Sequence, residues 1–194
     1  GRGAWGEETD VNSASIGIES VNPGHWWDMG LSPDRDPAKP VEVHPGYRPF
    51  PPAQIAAVIA LSHDIAARNG IPADRVLAHS DIAPGRKRDP GELFPWDELA
   101  KAGVGLWVAP VEDAEGRGFH PGEISPPVAA LQAMFRLYGY GLEVSGHYDA
   151  ATAAVVEAFQ RHFRPERVDG VADAGTLATL RALLEKRERR ERVA

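Results

Sequence analysis

The sequence AHSDIAPGRKRDPG, residues 78–91, combines an imidazole with acidic and basic groups in a segment that proline and glycine interrupt. Pro-Gly pairs stand at 84–85 and 90–91, and they are incompatible with a continuous helix or strand, so the pattern predicts a loop. Loops held by a rigid scaffold often carry binding and catalytic residues. The side chains of chemical interest on this loop are His79, Lys87 and Asp89.

The segments on either side of this loop predict an α/β fold. SIGIESV (15–21) alternates apolar and polar residues, which is typical of a strand, and RVLAH (75–79) predicts a short strand leading into the loop. Between them, residues 53–70 have apolar side chains at helical spacing and end in an Asn-Gly stop signal. A short helix is predicted over 96–103. We therefore expect a mixed sheet flanked by helices.

Two long segments are too rich in proline and glycine for regular structure. Residues 25–52 form the first, in which Trp26, Trp27 and Tyr47 indicate that the loop is partly packed. Residues 107–127 form the second and have no apolar period, so they predict a linker between two domains.

After the linker the pattern predicts a small three-helix domain of about sixty residues. A first helix is expected over 128–138, with a proline in its first turn. A second is expected over 150–163, capped by Asp149, and a third begins after the cap Asp173.

Composition and charge narrow the function classes. The 194 residues are 43% hydrophobic and 25% charged with a net charge of −7, as in ordinary globular proteins. This acidic balance argues against a nucleic-acid binder, because such proteins need clustered Lys and Arg. The basic run KRERRERVA at the end is diluted by glutamates and predicts a solvated helix end. No apolar run approaches the ~20 residues of a membrane span, and the N-terminus shows no signal-peptide pattern.

The residue chemistry of the loop is compatible with a metal site. There are no cysteines, so any metal must be held by histidine and carboxylate. His79 and Asp89 form a suitable pair, Lys87 can stabilise an oxyanion in the same cavity, and Glu19, at the end of the first predicted strand, can act as a general base. The alternatives remain open at this point. The His–Asp spacing arises by chance in many proteins, Lys87 fits a solvated face, and Glu19 fits a strand end facing water.

The loop sequence resembles the zinc-dependent N-acetylmuramoyl-L-alanine amidases of the amidase-2 family, which are related to peptidoglycan recognition proteins. The family pattern H-x-D-I-A-P-x-R-K-x-D-P-G is matched at every fixed position, and NSASIGIE (12–19) resembles the family's N-x-x-S-I-G-I-E stretch. This resemblance covers residues 1 to about 105. It implies cleavage of the amide bond between N-acetylmuramic acid and L-alanine of peptidoglycan. The roles that it implies are zinc ligands for His79 and Asp89, the catalytic carboxylate for Glu19, transition-state stabilisation for Lys87, and substrate binding for Asn12 and Arg86.

The C-terminal part resembles the peptidoglycan-binding domain 1 family. The matching motifs are V-x-x-L-Q at 128–132, Y-G-Y at 138–140, G-x-Y-D-x-x-T at 146–152, F-Q at 159–160 and D-G-V at 169–171. The two resemblances imply the same polymer as partner, either as intact peptidoglycan or as muropeptides. The domains expected from them are an amidase domain (1–106), a linker (107–126), a peptidoglycan-binding domain (127–185) and a charged tail (186–194).

The sequence departs from the family in one respect. The family's first zinc histidine precedes the SIGIE segment, whereas no histidine precedes Glu19 in this chain. We expect the third ligand upstream of Gly1, in an amidase domain that is incomplete here at its N-terminus. The alternatives are that His25 or His44 substitutes for it, or that the protein is a noncatalytic peptidoglycan recognition protein. Wall binding implies a periplasmic or outer-membrane-associated location, with the targeting signal outside this chain.

Overall fold

The computed structural model describes residues 3–25, 44–112 and 114–192. Its helices, with one short 3₁₀ helix at Ala73–Arg75, are α1 (Val11–Ala14), α2 (Pro52–Asn69), α3 (His79–Ile82), α4 (Trp96–Lys101), α5 (Pro126–Tyr138), α6 (Ala150–Phe163) and α7 (Ala174–Glu191).

The helices predicted from periodicity are present close to their expected limits. α2 begins with Pro52 in its first turn and ends at Gly70, whose φ of 63° lies in the left-handed region. Glycine adopts that conformation at little cost because it has no Cβ, so it ends the helix where the sequence predicts. α4 ends at Lys101, two residues before Gly103.

The prediction of a mixed sheet is wrong. The described ranges contain no strand, and their β pairing is limited to isolated bridges such as Phe119–Ala172. Residues 15–21 are irregular and largely exposed, with Val21 90% accessible, because no described segment pairs with their backbone. β-branched residues favour a strand only where neighbouring strands satisfy the backbone and cover the side chains. Alternation of apolar and polar residues does not by itself provide a neighbouring strand.

The second predicted strand, RVLAH, is replaced by two short helical turns. The 3₁₀ helix ends at Arg75, and α3 begins at His79. Between them the backbone amides bond locally, since Val76 N donates to the Ala73 carbonyl at 3.3 Å and Ala78 N donates to Asp81 Oδ2 at 2.8 Å. These local bonds satisfy amides that a sheet ladder would otherwise use.

The last two C-terminal helices have the aspartate caps that the sequence predicts, and α5 has the predicted proline in its first turn. Asp149 Oδ1 accepts a hydrogen bond from Thr152 N, and Asp173 Oδ1 accepts one from Thr176 N, both at 2.8 Å. The helices bury their apolar faces against one another in the main core. Its side chains with no exposed surface are Val128, Phe135, Tyr148, Val156, Phe159, Phe163, Ala172, Leu180 and Leu183.

Two buried glutamines fix the turns between these helices. Gln132 accepts from Gly146 N at 2.8 Å and donates to the His147 carbonyl at 2.9 Å. Gln160 Oε1 accepts from Asp169 N and Gly170 N at 3.1 and 3.0 Å. Buried amides are tolerated only when they are hydrogen-bonded, so each glutamine holds its turn in one conformation.

The N-terminal part of the chain packs into the same core as these helices. Trp5 is only 2% exposed and meets the rings of Tyr138 and Tyr140 edge-on, with centroids 5.4 and 5.0 Å away. A Cβ on Gly139 would clash with the Trp5 ring, so this close approach requires glycine. A second, smaller cluster contains Phe50, Ile55, Ala78, Phe94, Trp96, Leu99 and Val104.

The first residues of the segment predicted as a linker lie against α7. Lys186 Nζ donates to the Trp107 carbonyl at 2.7 Å, and Val111 N donates to Thr179 Oγ1 at 3.0 Å. In the long loop 25–52, Tyr47 packs as expected and its hydroxyl accepts from Leu93 N at 2.9 Å. Trp26 and Trp27 lie outside the described residues.

Candidate functional site

The loop at 78–91 folds back on itself around α3. The single turn of α3 begins at His79, and Ser80 N donates to the Asp89 carbonyl at 3.1 Å. This backbone bond holds the beginning and the end of the loop together. It accounts for the close approach of two side chains that are ten positions apart in the sequence.

His79 and Asp89 form a pair at the surface of the loop. His79 Nδ1 lies 2.9 Å from Asp89 Oδ2, and the two side chains are 39% and 42% exposed. Burial raises the pKa of the Asp89 carboxyl, but the hydrogen bond to His79 and the charges of His79 and Lys87 outweigh it and lower that pKa. The carboxylate is therefore ionised at neutral pH. Its second oxygen, Oδ1, is buried and has no hydrogen-bond partner among the described residues.

Lys87 and Arg86, two of the three basic residues between this pair, lie on the turn. Lys87 is half-buried, and its charge contributes to the lowered pKa of Asp89, so its ammonium group acts on the same site. Arg86 is exposed beside it. Their backbone amides both donate to the Ala83 carbonyl, at 3.0 and 3.1 Å, which fixes the turn.

Two other predicted site residues lie on α1 and on the segment that follows it. Glu19 is exposed on the irregular segment after α1, and no hydrogen bond or ion pair joins it to His79, Lys87 or Asp89 in the described structure. Asn12 is exposed on α1. The structure thus brings together His79, Asp89 and Lys87, and it leaves Glu19 outside their contacts.

The donor set of this pair fits part of a zinc site. Tetrahedral zinc binds nitrogen and oxygen ligands at about 2.0–2.2 Å, which places neighbouring ligand atoms roughly 3.3 Å apart. The 2.9 Å between His79 Nδ1 and Asp89 Oδ2 is close to that spacing, and the unpartnered Asp89 Oδ1 leaves acceptor capacity for a cation. A catalytic zinc takes three protein ligands. Within the described ranges no group of three His, Asp or Glu side chains is arranged to hold a metal.

The histidines considered as substitute ligands have other contacts. His25 is buried, and its Nε2 lies 3.0 Å from Glu92 Oε2. His44 Nδ1 accepts from Gly46 N at 2.8 Å. His63 is exposed on α2, and its Nε2 lies 2.6 Å from the Ala102 carbonyl. None of these described contacts reaches His79 or Asp89.

A buried ion-pair network lies at the C-terminal end of the loop. Glu92, three residues after Asp89, contacts His25 Nε2 at 3.0 Å and Arg161 Nε at 2.7 Å. Burial raises the pKa of Glu92, but the hydrogen bond from His25 and the charge of Arg161 lower it to about 2. This network connects the end of the loop to α6, a link that the sequence does not indicate.

This network predicts a specific dependence of stability on pH. A carboxyl with a lowered folded-state pKa stabilises the protein above its ordinary pKa, and that stability is lost as the pH falls toward the folded-state value. Between pH 5 and pH 2 we expect wild type to lose about 3 kcal/mol more unfolding free energy than Glu92→Gln. Urea unfolding at a series of pH values measures this difference.

The matched control for this prediction is Glu98→Gln, which removes an exposed carboxylate on α4. We expect this variant to follow the wild-type pH profile. If Glu92→Gln also follows that profile, the Glu92 network does not stabilise the fold.

Sequence reasoning missed a second buried cluster, centred on Asp81. Asp81 Oδ1 accepts from the Tyr140 hydroxyl at 2.8 Å, and Asp81 Oδ2 lies 2.7 Å from His162 Nδ1. Asp81 stands in the loop sequence itself, but its partners are 59 and 81 residues away. No local pattern could have identified them.

Comparisons with known proteins agree with both family resemblances, the one carried by the loop at 78–91 and the one carried by the C-terminal helices. Residues 1–92 match the family model for N-acetylmuramoyl-L-alanine amidase, and residues 125–180 match the model for a peptidoglycan binding domain. The chain is 41% identical over 189 residues to the N-acetylmuramoyl-L-alanine amidase AmiD of Escherichia coli. The match covers 96% of this chain, which spans 62% of the length of that curated relative.

Solved structures are also similar to this chain in fold. The complex of AmiD from E. coli with anhydro-N-acetylmuramic acid-L-Ala-D-gamma-Glu-L-Lys is similar with a TM-score of 0.72 at 40% identity, covering 96% of this chain and 67% of that one. AmpDh3 from Pseudomonas aeruginosa in complex with anhydromuramic pentapeptide has a TM-score of 0.73 at 36% identity, covering 96% and 68%.

Proposed function

The chain belongs to the N-acetylmuramoyl-L-alanine amidase family, and on that premise we propose that it hydrolyses the amide bond between N-acetylmuramic acid and L-alanine in peptidoglycan. The observation that carries this proposal is the pairing of His79 with Asp89 at 2.9 Å on a loop inside the matched amidase region. Relatives whose structures contain anhydromuramic peptides support the choice of substrate class.

We propose that the cofactor is a zinc ion held by His79 and Asp89 together with a third ligand from outside the described residues. The ionised Asp89 carboxylate and the adjacent imidazole are both suitable donors. When bound, zinc lowers the pKa of a coordinated water and polarises the substrate carbonyl. Their 2.9 Å separation and the unpartnered Asp89 Oδ1 support this assignment.

The other proposed roles come from the family resemblance and, for Lys87, also from its charge. Glu19 accepts a proton from the water that attacks the lactyl carbonyl, and it returns this proton to the alanine nitrogen as the C–N bond breaks. The products are a free carboxylic acid on the sugar and a free amine on the peptide. Lys87, whose charge already acts on Asp89, stabilises the negative charge that develops on the carbonyl oxygen. Asn12 and Arg86 are proposed to contact the substrate. The roles of Glu19, Asn12 and Arg86 rest on the family resemblance alone.

The C-terminal helices are proposed to hold the enzyme on its polymeric substrate. The division expected from the sequence, with an amidase domain (1–106), a linker (107–126), a binding domain (127–185) and a tail (186–194), remains part of this proposal. A binding domain on the same chain raises the effective concentration of cleavable bonds near the site.

We propose a periplasmic or outer-membrane-associated location, because that is where a peptidoglycan-binding amidase meets its polymer. In the described part of the chain, no helix combines the length and apolar character needed to cross a membrane.

A noncatalytic peptidoglycan recognition protein is the second candidate. The observation that favours it is the exposed position of Glu19, outside the contacts of the His79 loop. Against it, binding alone does not require a lysine whose charge acts on the His–Asp pair. The two candidates differ in whether a stem peptide is released.

The test of the proposal is release of stem peptide from purified anhydromuropeptide, followed by chromatography. We expect the full-length protein, including any residues upstream of Gly1, to release the peptide, a chelator to abolish release, and added Zn²⁺ to restore it, because the site is proposed to depend on the metal. Lys87→Ala is expected to lower the rate by about 10²–10³-fold through loss of oxyanion stabilisation. Release that survives both the chelator and this substitution would refute the mechanism.

A further inference from the structure

We propose that Tyr140 and His162, which belong to the C-terminal helical unit, are positioning residues for the loop that carries His79. They act by fixing the carboxylate of Asp81. This proposal deepens the proposed function and rests on it, because it assigns the peptidoglycan-binding unit a second role as a structural part of the amidase site.

The carboxylate of Asp81 receives hydrogen bonds from both parts of the chain. Asp81 is 1% exposed. Its Oδ2 accepts from Ala78 N at 2.8 Å and lies 2.7 Å from His162 Nδ1, and its Oδ1 accepts from the Tyr140 hydroxyl at 2.8 Å. Ala78 immediately precedes His79. The contact therefore reaches the residue next to a proposed metal ligand.

The two donors on the helical unit are themselves held rigidly. The His162 ring lies between Trp96, at 3.9 Å, and Phe163, at 4.0 Å, and is nearly parallel to both. Tyr140 is 1% exposed and packs edge-on against Trp5. Burial and the negative charge of Asp81 raise the pKa of Tyr140 well above its ordinary value, so its hydroxyl remains a protonated donor. Fixed donors of this kind determine where the carboxylate sits.

Helix α3 depends on this carboxylate because it is too short to be stable alone. It has only four residues, and an isolated helix of that length does not form in water. The hydrogen bond from Ala78 N to the Asp81 carboxylate caps its N-terminus. Hydrogen bonds to charged acceptors are stronger than hydrogen bonds to neutral acceptors. Catalytic groups must be held to within about 0.5 Å of their productive geometry. The orientation of His79 therefore depends on Tyr140 and His162.

The test compares Tyr140→Phe with Tyr148→Phe. Each substitution removes one hydroxyl from a buried tyrosine, and each hydroxyl makes one hydrogen bond of 2.8 Å. The Tyr148 hydroxyl donates to the Gly170 carbonyl in the same helical unit and does not contact Asp81. Both variants are made in the full-length protein, including any residues upstream of Gly1. This pair therefore separates loss of a buried hydrogen bond in general from loss of the bond to Asp81.

The first readout is amide hydrogen exchange, which requires neither metal nor activity. In Tyr140→Phe we expect the amides of Ile82 and Ala83, which donate to the Ala78 and His79 carbonyls, to exchange at least about tenfold faster. In Tyr148→Phe we expect them to exchange at the wild-type rate. If both variants accelerate these amides equally, or if all slowly exchanging amides accelerate together, the proposal is overturned.

The second readout is the kinetics of peptide release. Tyr140→Phe is expected to lower kcat about tenfold with little change in KM, because the substrate still binds but the reacting groups are misaligned. His162→Phe, which retains an aromatic ring between Trp96 and Phe163, is expected to do the same. Kinetics in either variant no different from those of Tyr148→Phe would overturn the proposal. If wild type is inactive, the proposed amidase function fails, and hydrogen exchange alone decides whether the helical unit positions the loop.

Discussion

Replacing Glu19 with glutamine is expected to lower the rate of stem-peptide release by about 10²–10⁴-fold, the usual effect of removing a general base. The glutamine keeps the size of the side chain but cannot accept a proton from the attacking water. Because Glu19 is exposed and makes no hydrogen bond or ion pair in the described structure, we expect the free energy of unfolding to change by less than about 0.5 kcal/mol. A large loss of rate would therefore be chemical in origin.

The control for this experiment is Glu7→Gln, which removes another exposed carboxylate from the N-terminal part of the chain. We expect it to leave the rate unchanged. Zinc content is measured in parallel, since Glu19 is not a proposed ligand and its replacement should leave metal binding intact. A Glu19→Gln variant that is as fast as Glu7→Gln would favour the interpretation of Glu19 as a solvent-facing residue.

Replacing Trp5 with alanine is expected to lower the free energy of unfolding by about 3–5 kcal/mol. Trp5 is 2% exposed, and its ring fills the space between Tyr138, Gly139 and Tyr140. Removing it leaves a cavity that this backbone cannot close easily, because Gly6 N also donates to the Gly139 carbonyl at this point. Chemical denaturation followed by circular dichroism measures the change.

The control for Trp5→Ala is Leu137→Ala. Leu137 is on α5, next to Tyr138, but it is 56% exposed. We therefore expect its replacement to lower the free energy of unfolding by less than about 0.5 kcal/mol. Trp5→Ala should destabilise both parts of the chain in a single transition, because they share one core. Two separate transitions, with only the N-terminal one shifted, would contradict that expectation.

The contacts between the two matched regions change how their roles are understood. The motifs suggest an amidase and a wall-binding unit joined by a linker, each with a separate task. In the structure, Trp5 lies in the core of the helical unit, and Glu92 pairs with Arg161 on α6. Asp81 meets Tyr140 and His162. Changes in the helical unit are therefore expected to alter catalysis as well as attachment to the wall.

The sequence was a reliable guide wherever the deciding contacts are local. The aspartate caps at 149 and 173 each bond an amide three residues later, and Gly70 ends α2 through its own backbone conformation. The position of the loop 78–91 also follows from its prolines and glycines. The strands at 15–21 and 75–79 could not be decided in this way, because a strand depends on partners that are distant in the sequence.

The amino-acid sequence by itself thus determined the longer helices, their caps, and the loop with its histidine, lysine and aspartate. Only the tertiary structure decided that His79 and Asp89 face each other at 2.9 Å, that the segment at 15–21 has no strand partner among the described residues, and that Asp81 is held by the helical unit. The physical reason is the distance along the chain over which each kind of interaction acts. Helical periodicity and capping act over three or four residues, whereas these contacts depend on how distant parts of the chain pack together.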